Sequence, residues 1–257
     1  MSELRPLKRR YGWVPDVPDH RDFHYSEIRV APTKLPPKVD LRPLCPPVAD
    51  QGQLNSCSAS ALASELEFLE LKDKLPLTYL SRLFIYYGER VIENSVNSDS
   101  GAMLRDGMKA LAKRGVCAEK TWPYVITKFR MKPSAASYRE ALRHKISSYH
   151  RLLTVEEMRA CLAEGYPFVF GFTIYESFES DRVAKTGILS MPRPGEKRKY
   201  GHNAVGVGYD DSRRRFTVMN SWVPDWGIRG YFTIPYEYLA DHKVAGDFWT
   251  VRRGEGM

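Results

Sequence analysis

The sequence predicts an α+β fold, and two observations predict it. The first half holds segments of helical period rich in Ala, Leu and Glu, whereas the second half holds short aromatic and β-branched runs divided by turn residues. At 257 residues the chain suffices for one large domain or two closely packed lobes. Hydrophobic residues make up 43% and charged residues 27%, ordinary for a soluble globular chain, and no stretch has the apolar length needed to cross a bilayer.

Residues 1–35 read as an arm. Pro15, Pro18, Pro32, Pro36 and Pro37 interrupt any helical or strand period. Met1 to Arg10 is basic with no apolar segment behind it, so it does not read as a secretory signal. The expectation is a cytoplasmic protein or export by a non-classical route. Tyr11-Gly-Trp-Val-Pro-Asp16 carries large apolar groups that are costly to leave in water, which predicts packing on the body of the protein.

Val39-Asp-Leu-Arg42 opens the ordered domain, and Gln51 to Ser56 is a polar loop. From Cys57 to Lys72 the residues are strong helix formers and Ser56 stands at the N-cap, so Cys57 falls in the first turn of a long, largely buried helix. Leu80–Glu93 and Ala102–Arg114 read as two further helices, the second stopped by Gly115. Thr154–Glu164 is a short helix with a capping box of Thr154 and Glu157. Strands follow at Pro167–Tyr175, Ala204–Tyr209, Phe216–Met219 and Tyr231–Ile234, with a hairpin turn at Asp210–Arg213.

The formal net charge is +8, with basic clusters at Lys8–Arg10, Lys197–Lys199 and Arg213–Arg215. Without interleaved aromatics or a nucleic-acid motif, these read as solvated loops. Cys45, Cys57, Cys117 and Cys161 are widely spaced, which fits neither a disulfide framework nor zinc-ligand spacing. Three of them read as buried thiols. Cys57 differs because a helix N-terminus favours the thiolate, and a histidine brought close by the fold would favour it further. Of six histidines, His20, His24, His144, His150 and His242 read as surface residues. His202 follows Gly201 at the start of a buried strand. From local sequence alone, a strand-capping core histidine and a catalytic base are equally supported.

Three segments then bear on that choice. Gln51-Gly-Gln-Leu-Asn-Ser-Cys57, Gly201-His-Asn-Ala-Val-Gly-Val-Gly-Tyr209 and Asn220-Ser-Trp-Val-Pro-Asp-Trp-Gly-Ile-Arg-Gly-Tyr231 resemble, in order, the cysteine, histidine and asparagine segments of the papain (C1) family of cysteine peptidases. Val39–Arg42, Gly115–Tyr124 and Gly187-Ile-Leu189 add to the likeness, which runs from about residue 36 to about residue 240 and looks most like the bacterial xylellain-like branch. The resemblance implies a papain-like two-lobe fold: a mainly helical lobe (36–145) with Cys57, a β-barrel-like antiparallel lobe (146–257) with His202 and Asn220, and the active-site cleft between them. It implies Cys57 as nucleophile, His202 as base, Asn220 as the residue that orients the base, and the Gln51 amide with the Cys57 N–H as oxyanion hole. Trp222 would cover the His202–Asn220 contact. Asn55, Gly101, Ala102, Leu104, Tyr200, Gly201 and Trp222 are the implied substrate-binding residues, with an apolar side chain expected two residues before the scissile bond. The implied partner is a peptide or protein substrate, acted on by a monomer without cofactor, metal, nucleic acid or membrane.

The chain departs from the family pattern in places. Leu54 stands where many members have a disulfide-bonded cysteine, Asn55 where they have glycine, and Ser58 where they have tryptophan. The missing bridge agrees with a reducing compartment. About 35 residues are too few for the familiar helical prosegment, so the arm from Tyr11 to Phe23 is expected either to lie across the groove or to serve structure alone. Three competing readings are a silent peptide-binding homologue, an acyltransferase or ligase using the same thiol, and a metal site on Asp19, His20, Asp22 and His24.

Overall fold

A computed structural model describes residues 11–29 and 34–254. The basic run Lys8–Arg10, the stretch Met1–Arg10 and Pro32 lie outside the described residues. The arm contains a short helix α1 (Tyr25–Ile28) and is followed by strand β1 (Lys38–Asp40). Three helices then build one lobe: α2 (Cys57–Lys72), α3 (Arg82–Ile92) and α4 (Leu104–Arg114), with α5 (Ala135–Ala141) beyond them. The second lobe runs β2 (Ser148–Arg151), α6 (Val155–Ala163), β3 (Phe168–Tyr175), α7 (Asp181–Thr186), β4 (Arg198–Asp210), β5 (Arg215–Met219), β6 (Tyr231–Pro235), α8 (Tyr236–Ala240) and β7 (Ala245–Arg252). Its six strands and β1 join in one seven-stranded sheet, in the order β2-β7-β3-β4-β5-β6, with β1 off this path and paired antiparallel with β4, Asp40 opposite Gly208.

Every ladder pairing in that sheet is antiparallel, so side chains alternate between two faces. Phe168, Phe170, Phe172 and Ile174 of β3 point into an aromatic core with Phe178, Phe216, Trp222 and Phe232. Val169 of β3, with Val205 and Val207 of β4, points the other way, into the core shared with Leu62, Leu66, Leu83 and Leu111 of the helices. Helix α2 is enclosed nearly all round: Cys57 through Glu70 are buried. That enclosure explains its all-round Ala and Leu content, and each large apolar side chain so buried contributes about 1.5–3 kcal/mol.

Several local expectations shift. Helix α3 starts at Arg82 because Leu80 bridges to Ala118 and Ser81 takes the cap, its Oγ accepting from Phe84 N at 3.1 Å. Helix α4 starts at Leu104 because Ala102 pairs with the arm. Ser56 does stand at the N-cap of α2, but its hydroxyl contacts Tyr124 Oη at 2.5 Å instead of capping. His150 is a correction: it lies in β2 and is buried, because β2 pairs with β7 and the arm covers it. Thr154 caps α6 as expected, accepting from Glu157 N at 3.1 Å. Cys117 and Cys161 are buried free thiols, and Cys45 is half-buried.

Candidate active site

The polar loop before α2 and the β4–β5 end of the sheet meet through a chain of hydrogen bonds. His202 Nε2 lies 2.8 Å from Asn220 Oδ1, and the Ser221 N–H donates to the same oxygen at 2.9 Å. Ser221 Oγ donates to Gln51 Oε1 at 2.6 Å, and Gln51 N donates back to the Ser221 carbonyl at 3.0 Å. The Gln51 amide is thereby turned, and its Nε2 donates to the Leu54 carbonyl at 3.0 Å. His202, Asn220 and Gln51 are all buried. Trp222 lies over the imidazole with ring centroids 5.3 Å apart, and Phe172 meets it edge-on at 5.8 Å.

Cys57 opens α2, and its thiol donates to Asn203 Oδ1 at 3.2 Å, the side chain next to His202 on β4. Asn203 is held in turn by a 3.4 Å bond from Nδ2 to the Phe170 carbonyl. The sequence expectation of a lowered thiol pKa is corrected for this state of the site. Burial pushes the Cys57 thiol up to about 12 and buried Glu89 adds to the rise, while backbone N–H groups of Asn203, Ser58 and Gly12 oppose it. The helix N-terminus favours the thiolate, but removal from water outweighs it here.

What removes the water is the arm. Gly12 N and Trp13 N both donate to the Gly201 carbonyl at 3.1 Å, Ala102 N donates to the Gly12 carbonyl at 2.9 Å, and Val14 N donates to the Ala102 carbonyl at 3.2 Å. The arm thus forms a parallel bridge of Trp13 to Ala102 while also touching Gly201 on the opposite lobe. Tyr11 stacks on Tyr200 with centroids 4.6 Å apart and stands edge-on to His202 and Trp222. Its N–H donates to Asn55 Oδ1 at 3.1 Å, and its hydroxyl donates to Glu179 Oε1. Glycine is required where these chains cross: a Cβ on Gly12 would lie 2.0 Å from the Asn55 carbonyl oxygen, and one on Gly101 would lie 2.2 Å from the Gly12 carbonyl oxygen.

Of the residues expected to bind substrate, Asn55, Gly101, Ala102, Tyr200, Gly201 and Trp222 therefore all meet the arm. Leu104, in the first turn of α4, is fully buried in the core of the helical lobe. The proposed metal cluster is not assembled. Asp22 pairs with Arg105 at 2.6 Å and Arg151 at 2.9 Å, Asp19 pairs with Arg21 at 2.7 Å, and the described residues hold no group of three metal-ligating side chains. Sequence reasoning missed Asn203, Ser221 and Asp247. Asn203 and Ser221 directly follow motif residues, which is the signal that could have found them. No local pattern marks Asp247.

A nucleophile-bearing helix against an antiparallel lobe that supplies a paired histidine and asparagine is the architecture of the papain-like peptidases. The sequence matches the profile of the papain family of cysteine proteases over residues 35–246, and the chain belongs to that family. It is similar to crystalline xylellain, a cysteine protease from Xylella fastidiosa, at 42% identity and a TM-score of 0.88, over 97% of this chain and 99% of that one. A peptidase C1-like protein of Acanthamoeba polyphaga mimivirus shares 39% identity over 96% of this chain and 88% of its own. A cathepsin B-like protein of Giardia intestinalis shares 27%, over 86% and 77%. The protein is a cysteine peptidase, a hydrolase acting on peptide bonds. No helix among the described residues is long and apolar enough to cross a membrane.

Proposed function

We propose that Cys57 carries the chemistry with His202, Asn220 and Gln51, and that the arm holds the site closed. The thiolate attacks the substrate carbonyl, the C–N bond breaks, and the leaving amine takes its proton from the His202 imidazolium. The thioester is then hydrolysed by water, with His202 as base. Asn220 fixes the ring through Nε2, leaving Nδ1 for the sulfur and the leaving group. The Gln51 amide and the Cys57 N–H receive the developing oxyanion. The observation that carries this reading is the Gln51–Ser221–Asn220–His202 hydrogen-bond chain, which ties the loop before Cys57 to the imidazole.

Restraint by the arm is supported by what it offers the sulfur. The Gly12 N–H faces Cys57, while the Gly12 carbonyl accepts from Ala102 N, so the arm meets the sulfur with a backbone donor. A thiol-directed epoxide, followed by mass mapping, tests both parts. Cys57 alone of the four cysteines should label, His202→Ala should abolish labelling, and Trp13→Ala should accelerate it. Equal labelling of all four cysteines defeats the assignment of the nucleophile. An unchanged rate in Trp13→Ala, with the fold intact, leaves the arm structural only.

A further inference from the structure

Beneath the arm the sheet presents a floor without side chains. Gly171 of β3 pairs with Gly246 of β7, and two residues along on the same face Thr173 pairs with Gly201 of β4. The Trp13 indole lies on this floor. A Cβ on Gly171 would come within 2.1 Å of its Nε1, and one on Gly201 within 2.8 Å of Cε3, while one on Gly246 would stand in ordinary contact at 3.8 Å from Cζ2. Three adjacent strands have thus given up their side chains to accept one bicyclic ring.

A carboxylate stands at the far end of the ring. Trp13 Nε1 donates to Asp247 Oδ2 at 2.8 Å, and the same oxygen accepts from Asp16 N at 2.9 Å. Arg151 Nη1 reaches the other oxygen at 3.3 Å. Asp247 occupies the left-handed region at φ 54, in a bulge where two residues of β7, Asp247 and Phe248, stand opposite the one residue of β3 between Val169 and Gly171. A non-glycine residue held there is strained, and such strain gathers at ligand sites. Here it re-aims the carboxylate from the sheet into the pocket.

We infer that Asp247 determines specificity: the pocket accepts a flat bicyclic side chain carrying an N–H at its far edge, which makes tryptophan the preferred substrate residue at this position. The inference rests on the proposed peptidase site and names the substrate feature it selects. When the arm leaves, Asp247 loses both the indole and the Asp16 N–H. A substrate tryptophan restores a donor, whereas an apolar ring of equal size leaves a desolvated carboxylate facing carbon. A site built to receive an N–H rejects the analogue that lacks it.

The test compares two fluorogenic peptides on the full chain, identical except two residues before the scissile bond. One has tryptophan there; the other has benzothienylalanine, the isostere in which sulfur replaces the N–H. Closure by the arm lowers both rates by the same factor, so it cancels in their ratio. The tryptophan peptide should be favoured at least about tenfold in kcat/KM, and Asp247→Gly, which suits the positive φ, should bring the ratio near one. Equal rates in the wild-type protein overturn the inference, and so does a preference that survives in Asp247→Gly. If Asp247→Gly fails to fold, the wild-type ratio decides alone. Cleavage of denatured protein with neither peptide cut also overturns the inference but spares the proposed site; no hydrolysis of any substrate overturns the site itself.

Discussion

Asp16 offers a sharp test of how the arm is held, because two lines of reasoning give opposite signs. The arm is fastened by a buried cluster of three carboxylates, Asp16, Asp22 and Asp247, and two guanidinium groups, Arg105 and Arg151. Asp16 Oδ2 accepts from Arg151 at 2.7 Å and from Trp249 Nε1 at 2.9 Å, and Asp16 Oδ1 accepts from Arg105 N at 3.1 Å. Counting only the Arg151 ion pair, Asp16→Asn should loosen the arm. The full cluster says otherwise: with all groups ionised it is one negative charge in excess. Burial first, and Asp247 second, raise Asp16 from its ordinary 3.8 to about 6. A carboxyl raised in the docked state binds its proton more tightly there than in the free arm. Docking is therefore strongest below pH 4, weakens as pH rises toward 6 and is level above. The span corresponds to about 3 kcal/mol, roughly a hundredfold in the open fraction. Asparagine imitates the protonated side chain at every pH. The ratio of wild-type to Asp16→Asn kcat/KM on one fluorogenic peptide cancels the titration of Cys57 and His202, which the two proteins share. It should sit near one at pH 4 and climb severalfold to a hundredfold by pH 7. A flat ratio, or an Asn variant more active than wild type at pH 7, refutes the charge-excess reasoning.

Further outcomes follow from single contacts. Gln51→Ala should lower kcat about a hundredfold or more while KM changes little, as measured on that peptide, since a lost oxyanion donor acts on the transition state. Asn220→Ala should cut kcat with little change in KM on the same peptide, because the imidazole loses the acceptor at Nε2 that holds the ring in place. Glu67 is buried, accepts from Leu80 N at 2.8 Å and is raised by burial to about 8. Its contribution to stability is complete below pH 4.5 and lost as pH climbs to 8, so the thermal midpoint should fall across that range, and less so in Glu67→Gln. Gly171→Ala should open the arm yet narrow the pocket: Cys57 labels faster with a small epoxide, while tryptophan peptides are cut more slowly.

The residues proposed to carry the chemistry stand in contiguous segments of the sequence, which made them candidates before the fold was known. A cysteine opening an Ala- and Leu-rich helix, a histidine ahead of a glycine-rich strand and an asparagine beside Ser221 and Trp222 each carry local context, and the fold brings those contexts together. The helices and strands were readable for the same reason: period and caps are local, and Thr154 and Gly115 terminate elements as their types dictate. What escaped is what depends on contacts distant in sequence. The thiol's acceptor, Asn203, lies 146 residues from Cys57, and the Trp13 partner, Asp247, lies 234 residues away. The pKa of Cys57 escaped for a related reason, since the helix terminus that lowers it is local but the burial that raises it is imposed by Tyr11, Gly12 and Trp13. The same distinction divides the two roles of the molecule. The residues proposed to react lie in motifs shared across a family, whereas those proposed to decide when the site opens and what enters it, Asp16, Trp13 and Asp247, are brought together only by one chain folding back on itself. Substitutions in the second set should therefore alter timing and selectivity while leaving the chemical step at Cys57 intact.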